Sequence, residues 1–228
     1  MKRPAILTEV FGHPPLLSVA AVMLVIAAAL TPARAVAAAF CRMTDRPEII
    51  VTADEGRINY IHARDRRGIA ALGKIGPARL INGLSHFQTR RNTRYTYRLY
   101  RHNGQVCAMP TRIRVSLSLG RIDVYLAREL RRGSCPYRVT LAHENRHVAY
   151  HRRGLRRLAA LLRRELRTSA ERLHGKGTDR RQAEAALGRA IEGMIAPLAG
   201  KTAALTTAFD RDLDSPANRQ KEARRCQE

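Results

Sequence analysis

The chain contains no tryptophan and only 5% aromatic residues, so stacking platforms for single-stranded nucleic acid are not expected of it. Lysine is scarce: Lys2, Lys74, Lys176, Lys201 and Lys221 are the five among 42 basic residues, so the positive charge is almost all arginine. Acidic residues number only 19, which leaves a formal charge of +23 and excludes an acidic disordered chain. No two of the four cysteines stand at C-x-x-C spacing, which excludes a zinc knuckle and a thioredoxin-type redox pair. The sequence also lacks a P-loop, a dinucleotide-binding glycine fingerprint, a serine nucleophile elbow and any internal repeat.

What is present suffices for a core: 45% of the 228 residues are hydrophobic, and the length suits one domain. Lys2 and Arg3 precede the uncharged apolar run Leu16–Leu30, followed by Pro32 and the small-residue site Ala33-Arg34-Ala35, with Ala37–Ala39 as a second cut. That order predicts a signal peptide over 1–35, an exported product (periplasmic or secreted), and a mature domain over 36–228. After cleavage no stable membrane span is expected; uncleaved, the run to Ala33 is just long enough to anchor the chain. Phe40 stands before Cys41 where a lipoprotein needs a small residue. Cys41, Cys107, Cys135 and Cys226 form an even set in an exported chain and read as two structural disulfides, with three connectivities open.

The patterning predicts an α+β fold, with antiparallel strands over about 46–127 and helices over about 136–226. Residues 48–52 and 57–63 read as a hairpin about Gly56, and 94–101, 111–119 and 121–127 as further strands. A helix begins after Pro136, and Gly154 is expected to interrupt or bend it. The leucine stripe from Leu155 to Leu173 follows, and Gly175-Lys176-Gly177 breaks the chain. Thr178 or Asp179 caps a third helix with a stripe from Leu187 to Phe209 and a kink near Pro197; the two stripes predict an antiparallel helix pair. Ser215-Pro216 starts a short last helix.

His143-Glu144-Asn145-Arg146-His147 is the motif that carries chemistry. In H-E-x-x-H the two histidines sit one turn apart on one helix face and can share a Zn²⁺ at roughly 2.0–2.1 Å. Glu144 lies beside that face, placed to take a proton from a water that zinc has acidified. The strand over 111–119 is expected to offer an edge for an extended peptide substrate.

The motif helix resembles that of the zincin metallopeptidases. More narrowly, the run Val124–His151, with Phe209-Asp210 and Cys226, is similar to a family of bacterial proteins predicted to be secreted zinc-dependent proteases. The resemblance implies His143 and His147 as zinc ligands and Glu144 as general base. It implies Asp210 as third ligand, with Asp212 and Asp214 close by; related members carry His-Gly soon after, where this chain has Ser215-Pro216. Glu165 and Glu171 remain alternatives in the gluzincin manner, although both stand among arginines at ion-pair spacing. The metzincin subclass is excluded, because Tyr150 and His151 occupy positions where it needs glycine and a third histidine. A Cys135–Cys226 bridge would carry Asp210 towards the start of the motif helix. His151 reads as a surface histidine, and Tyr137 or Tyr150 as a candidate oxyanion partner.

The expected activity is peptide-bond hydrolysis by a zinc-dependent enzyme acting on a peptide or protein. Two other readings stand beside it: a non-catalytic envelope protein binding anionic polymers through its arginine-rich helices, and a purely structural zinc site. Specific nucleic-acid binding is not expected.

Overall fold

The computed structural model describes residues 40, 41, 45–74, 76 and 81–227; the predicted signal peptide lies outside them. Seven strands and four helices follow in the α+β order that the patterning predicts. They are β1 (Glu48–Asp54), β2 (Arg57–Ile61), α1 (Arg66–Leu72), β3 (Gly83–Phe87), β4 (Arg90–His102), β5 (Gln105–Ser118), β6 (Arg121–Leu126), α2 (Cys135–Thr168), β7 (Gly175–Gly177), α3 (Arg180–Leu213) and α4 (Pro216–Arg224).

The strands form two mixed sheets. In the larger, β1 runs parallel to β5 and β4 antiparallel to it, while β7 pairs with the first residues of β5. In the smaller, β2 is parallel and β3 antiparallel to β6. The expected hairpin about Gly56 is therefore not formed. β1 and β2 lie in different sheets, each beside its own half of the β5–β6 ribbon. Gly56 (φ 70°) and Gly120 (φ 58°) take the two chains across together, in a backbone region that glycine enters without strain. The strand expected as a substrate edge is also corrected: over Arg112–Ser118, β5 has β4 on one side and β1 on the other, so that stretch offers no free edge. Among the described residues, β3 pairs only with β6 and is an edge strand lying against α2.

Ser134 caps α2 by accepting from the Tyr137 amide, and Pro136 sits in the first turn, where no amide donor is needed. The helix continues unbroken through Gly154 to Thr168, contrary to the interruption expected there. Gly154 instead lies against Thr206, where a β-carbon would come within 3.1 Å, so the missing side chain lets α3 come close. Asp179 caps α3 by accepting from the Gln182 amide.

The core lies where both long helices cover one face of the larger sheet. Ile113, Val115 and Leu117 of β5 meet Leu158, Leu162 and Leu166 of α2 and Leu187, Ile191 and Ile195 of α3. Each sealed aliphatic side chain contributes roughly 1.5–3 kcal/mol by leaving water. Alternation along β5 sends Arg112 and Arg114 to the opposite, open face.

Cys41–Cys107 fastens the start of the described chain to β5, and Cys135–Cys226 ties the beginning of α2 to the end of α4. The second bridge closes 91 residues and holds α4 over the motif helix. Replacing Cys135 and Cys226 by serine is expected to lower stability by about 2–5 kcal/mol in urea unfolding, with native secondary structure kept in buffer.

Candidate metal centre

Three helices build the site, and their spacing explains how. His143, His147 and His151 repeat every four residues on α2, so they share one face. Asp210 and Asp214, also four apart, close α3. Because the helices run antiparallel, the two series meet in register, His147 with Asp210 and His143 with Asp214. α4 then folds back and delivers Glu222 to His143.

The two imidazoles of the motif are wired alike. His143 places Nδ1 at 2.9 Å from Glu222 Oε2, and His147 places Nδ1 at 2.7 Å from Asp210 Oδ1. Carboxylates on the Nδ1 side fix ring orientation and leave Nε2 for a ligand. The Nε2 atoms lie 3.2 Å from each other, and Asp214 Oδ1 lies 3.0 Å from that of His143 and 3.4 Å from that of His147. Three electron-rich atoms thus converge on one point, with both rings less than a tenth exposed. Such a meeting needs a cation, either a proton or a metal ion. Two imidazole nitrogens and one carboxylate form a donor set that suits a divalent metal ion. His143, His147 and Asp214 are accordingly the group that could hold a metal ion.

Asp210, the third ligand expected from the resemblance, does reach the cluster, but on the outer edge of His147. One carboxylate oxygen meets His147 Nδ1 and the other lies 2.9 Å from His151 Nε2, so Asp210 positions two rings. Asp214, one turn along, occupies the place expected for Asp210. His151 is no surface histidine: it stacks on Phe87 at 4.0 Å between ring centres and completes the Asp210 pair. Glu165 bonds Arg164, and Glu171 faces Arg46, both as ordinary ion pairs away from the site. Tyr150 stacks on Phe209, and Tyr137 packs edge-on to His62, so neither tyrosine is among the residues lining the cavities at the cluster. The structure adds Asp214, which the sequence offered only as a neighbour of Asp210, and Glu222, which it did not mark. The repeat of His143/His147 spacing in Asp210/Asp214 was a usable signal for the first; nothing local marked Glu222.

Glu144 reaches β3. Ser85 Oγ donates to its Oε2 at 2.8 Å. Gly83 passes so close that a β-carbon there would lie 2.6 Å from Glu144 Oε1, so the strand approaches only because residue 83 has no side chain. Burial pushes the Glu144 carboxyl up, against the lowering pull of His147 and His143. Glu222 is buried too, and it is held by Arg146 as well as His143. Two open cavities flank the cluster. One of about 520 Å³ is lined by Val139, Thr140, His143, Glu144, Asp214 and Arg219 among others, and one of about 240 Å³ reaches Ser85, Phe87 and His147.

Without a metal, the charges balance internally. Burial works to lower the His147 pKa, but hydrogen bonds to Asp210 and Asp214, helped by Glu144, outweigh it and raise the value from 6.5 to about 9. Burial likewise works to raise Asp210, yet His147 and His151 bring it down to about 2; Asp214 is lowered in the same way by His143 and His147. A raised histidine stabilises the metal-free fold fully below 6.5, and that contribution is lost as pH rises through about 9. The lowered Asp210 contributes above 3.8 and is lost as pH falls through about 2.

No family model matches the chain, and no curated protein or solved structure matches it.

A metal ion at Nε2 of His147 must displace that proton. Zinc affinity is therefore expected to rise by about tenfold per pH unit between 6.5 and roughly 9, then level off. Competition titration against a chromophoric chelator, in non-coordinating buffers, measures the slope.

Proposed function

We propose that this protein is an exported zinc-dependent metallopeptidase, with zinc held by His143, His147 and Asp214. The observation that carries this reading is the convergence of both Nε2 atoms and Asp214 Oδ1, with each ring fixed from behind by its own carboxylate. A helix that merely satisfied its histidines would not need to aim three acceptors at one another. The open cavities beside the cluster favour a catalytic site over a closed structural one. The likeness of the motif helix to zincins supports hydrolysis of peptide bonds. Export is supported by the two disulfides, by the leader-like first 35 residues, and by the lack, among the described residues, of a helix long and apolar enough to cross a membrane.

Zinc bound there would supply a Lewis acid that polarises a carbonyl and makes a water easier to deprotonate. The chain's own groups do the rest. Glu144 lines the same cavity as His147 and Asp214, and its carboxylate accepts the proton of the attacking water before returning it to the departing amine. Ser85, by donating to Oε2, orients that carboxylate and leaves Oε1 for the water. Asp210 and Glu222 hold the imidazoles so that neither ring turns its Nδ1 inwards. The unpaired edge of β3 borders the smaller cavity, where an extended peptide can add as a strand.

Metal analysis of the oxidised mature chain tests the reading. One zinc per chain is expected, lost in His143→Ala and in Asp214→Ala, and kept in Asp210→Asn with affinity weakened about 10–100-fold. Glu144→Gln is expected to keep its zinc and lose hydrolysis of an unstructured protein substrate by at least about 100-fold. Absence of zinc from the metal-supplied wild type, or full hydrolysis by Glu144→Gln, would overturn the proposal.

A further inference from the structure

The open face of the larger sheet carries a second site, remote from the helices that build the metal centre. Strand register arranges its side chains in four rows. Glu48, Arg112 and Thr96 form one outer row, and Asp54, Ser118 and Arg90 the other. Between them stand Ile50, Arg114 and Arg94 in one row and Thr52, Ser116 and Asn92 in the next.

The two acidic residues of this face are already engaged. Glu48 Oε2 accepts from Arg112 Nε at 2.5 Å. Asp54 accepts from Ser118 Oγ at 2.9 Å and from the Gly56 amide at 3.0 Å. Arg94 and Arg114 face each other directly across the antiparallel pair, and among the described residues neither has an acidic partner. Opposed like charges on paired strands are destabilising, since their β-carbons stand only about 4.5–5.5 Å apart. Beside them, Asn92 and Ser116 add neutral donors, and the four side chains enclose an open cavity of about 230 Å³. The centre of the face is therefore rich in donors and short of one anion.

We propose that this face binds the phosphate groups of an anionic polymer, with one phosphate seated between Arg94 and Arg114. The two guanidiniums approach from opposite strands, and a tetrahedral phosphate offers oxygens to both while Ser116 and Asn92 donate to the remainder. A free phosphate is not the occupant: exposed ion pairs contribute only about 0–1 kcal/mol each, too little to hold one small ion. A polymer meets the association cost once and engages further arginines. Arg90, four residues from Arg94 on the same face, stands about 13 Å along the strand and supplies the next contact. The two central rows contain no aromatic side chain, so recognition rests on charge and not on base stacking. The formal charge of +23 steers such a polymer inwards from solution. This site is independent of the metal reading.

The test uses long-chain inorganic polyphosphate as probe, with fluorescence-anisotropy competition over a salt series. Arg94→Gln/Arg114→Gln is compared with Arg153→Gln/Arg157→Gln, which removes the same charge from the exposed face of α2. The sheet variant is expected to bind at least tenfold more weakly, and its salt dependence to fall by roughly 0.7–0.9 logarithmic units per lost contact. The helix variant is expected to change affinity less than threefold. Thermal unfolding of the sheet variant should occur at the wild-type temperature or higher, because a repulsion has been removed; the single Arg94→Gln variant provides the same readout with less change. Equal losses in the two double variants would reduce the effect to bulk charge and overturn the site. Equally tight, equally Arg94-dependent binding of polygalacturonate would overturn the assignment to phosphate. Arg94-dependent capture by phosphatidylglycerol vesicles in preference to polyphosphate would overturn the polymer. Zinc content, measured on the same samples, is expected to be unchanged, so failure here and failure of the metal reading are told apart.

Discussion

Three imidazoles and three carboxylates meet in a seam where α2 joins α3 and α4; His143, His147 and Glu222 are buried there, and buried charges persist only when each has a partner, while Asp214 opens to solvent. Asp210 is neutralised by His147 and His151, Glu222 by His143 and Arg146, and Asp214 by the Nε2 atoms of His143 and His147. Removing one member leaves another unpaired. The antiparallel register of α2 and α3, the return of α4 and the Cys135–Cys226 bridge all serve this pairing. Without them, the acidic end of α3 would have no reason to lie against a helix carrying histidines at four-residue intervals.

The same seam separates roles among carboxylates that look equivalent in sequence. Depth and direction decide. Asp214 faces both Nε2 atoms and can share a cation with them. Asp210 is consumed by two ring nitrogens on the outer side. Glu144, next to a candidate ligand in sequence, turns towards β3 and meets only Ser85. Burial, helped by the negative charge of Asp214, raises its proton affinity against the pull of His147 and His143 and suits it to exchange protons. A sheet edge passing close at Gly83 finishes the arrangement by bringing a strand to the place where a proton would move.

The arginines divide in a comparable way. Those on α2 largely cover its wet side or anchor the sheet: Arg152 donates to the carbonyls of Glu55 and Gly56, and Arg163 to that of Val51. The bases without a structural duty face outwards from β4 and β5, where the strands fix their separation. Net charge alone suggested the helices as a place for an anionic polymer; the proposed phosphate site lies instead on the sheet, between Arg94 and Arg114.

From sequence alone, the α+β order, most strand positions, the helix starts at Pro136, at Thr178 or Asp179 and at Ser215-Pro216, and the histidine pair were legible, because each depends on side chains a few residues apart. Periodicity placed His143 and His147 on one face, and the even cysteine count set two bridges. Tertiary structure alone decided the rest. Strand partners are chosen by long-range packing, so the parallel pairs β1–β5 and β2–β6 had no local signature, and Gly154 had to be seen against Thr206 before it could be read as a contact. Which carboxylate faces the two Nε2 atoms, Asp210 or Asp214, depends on where α3 sits along α2, a difference of one turn that no composition or spacing rule fixes. Glu222 reaches His143 only because α4 reverses direction after Ser215-Pro216, joining residues 79 apart in the chain.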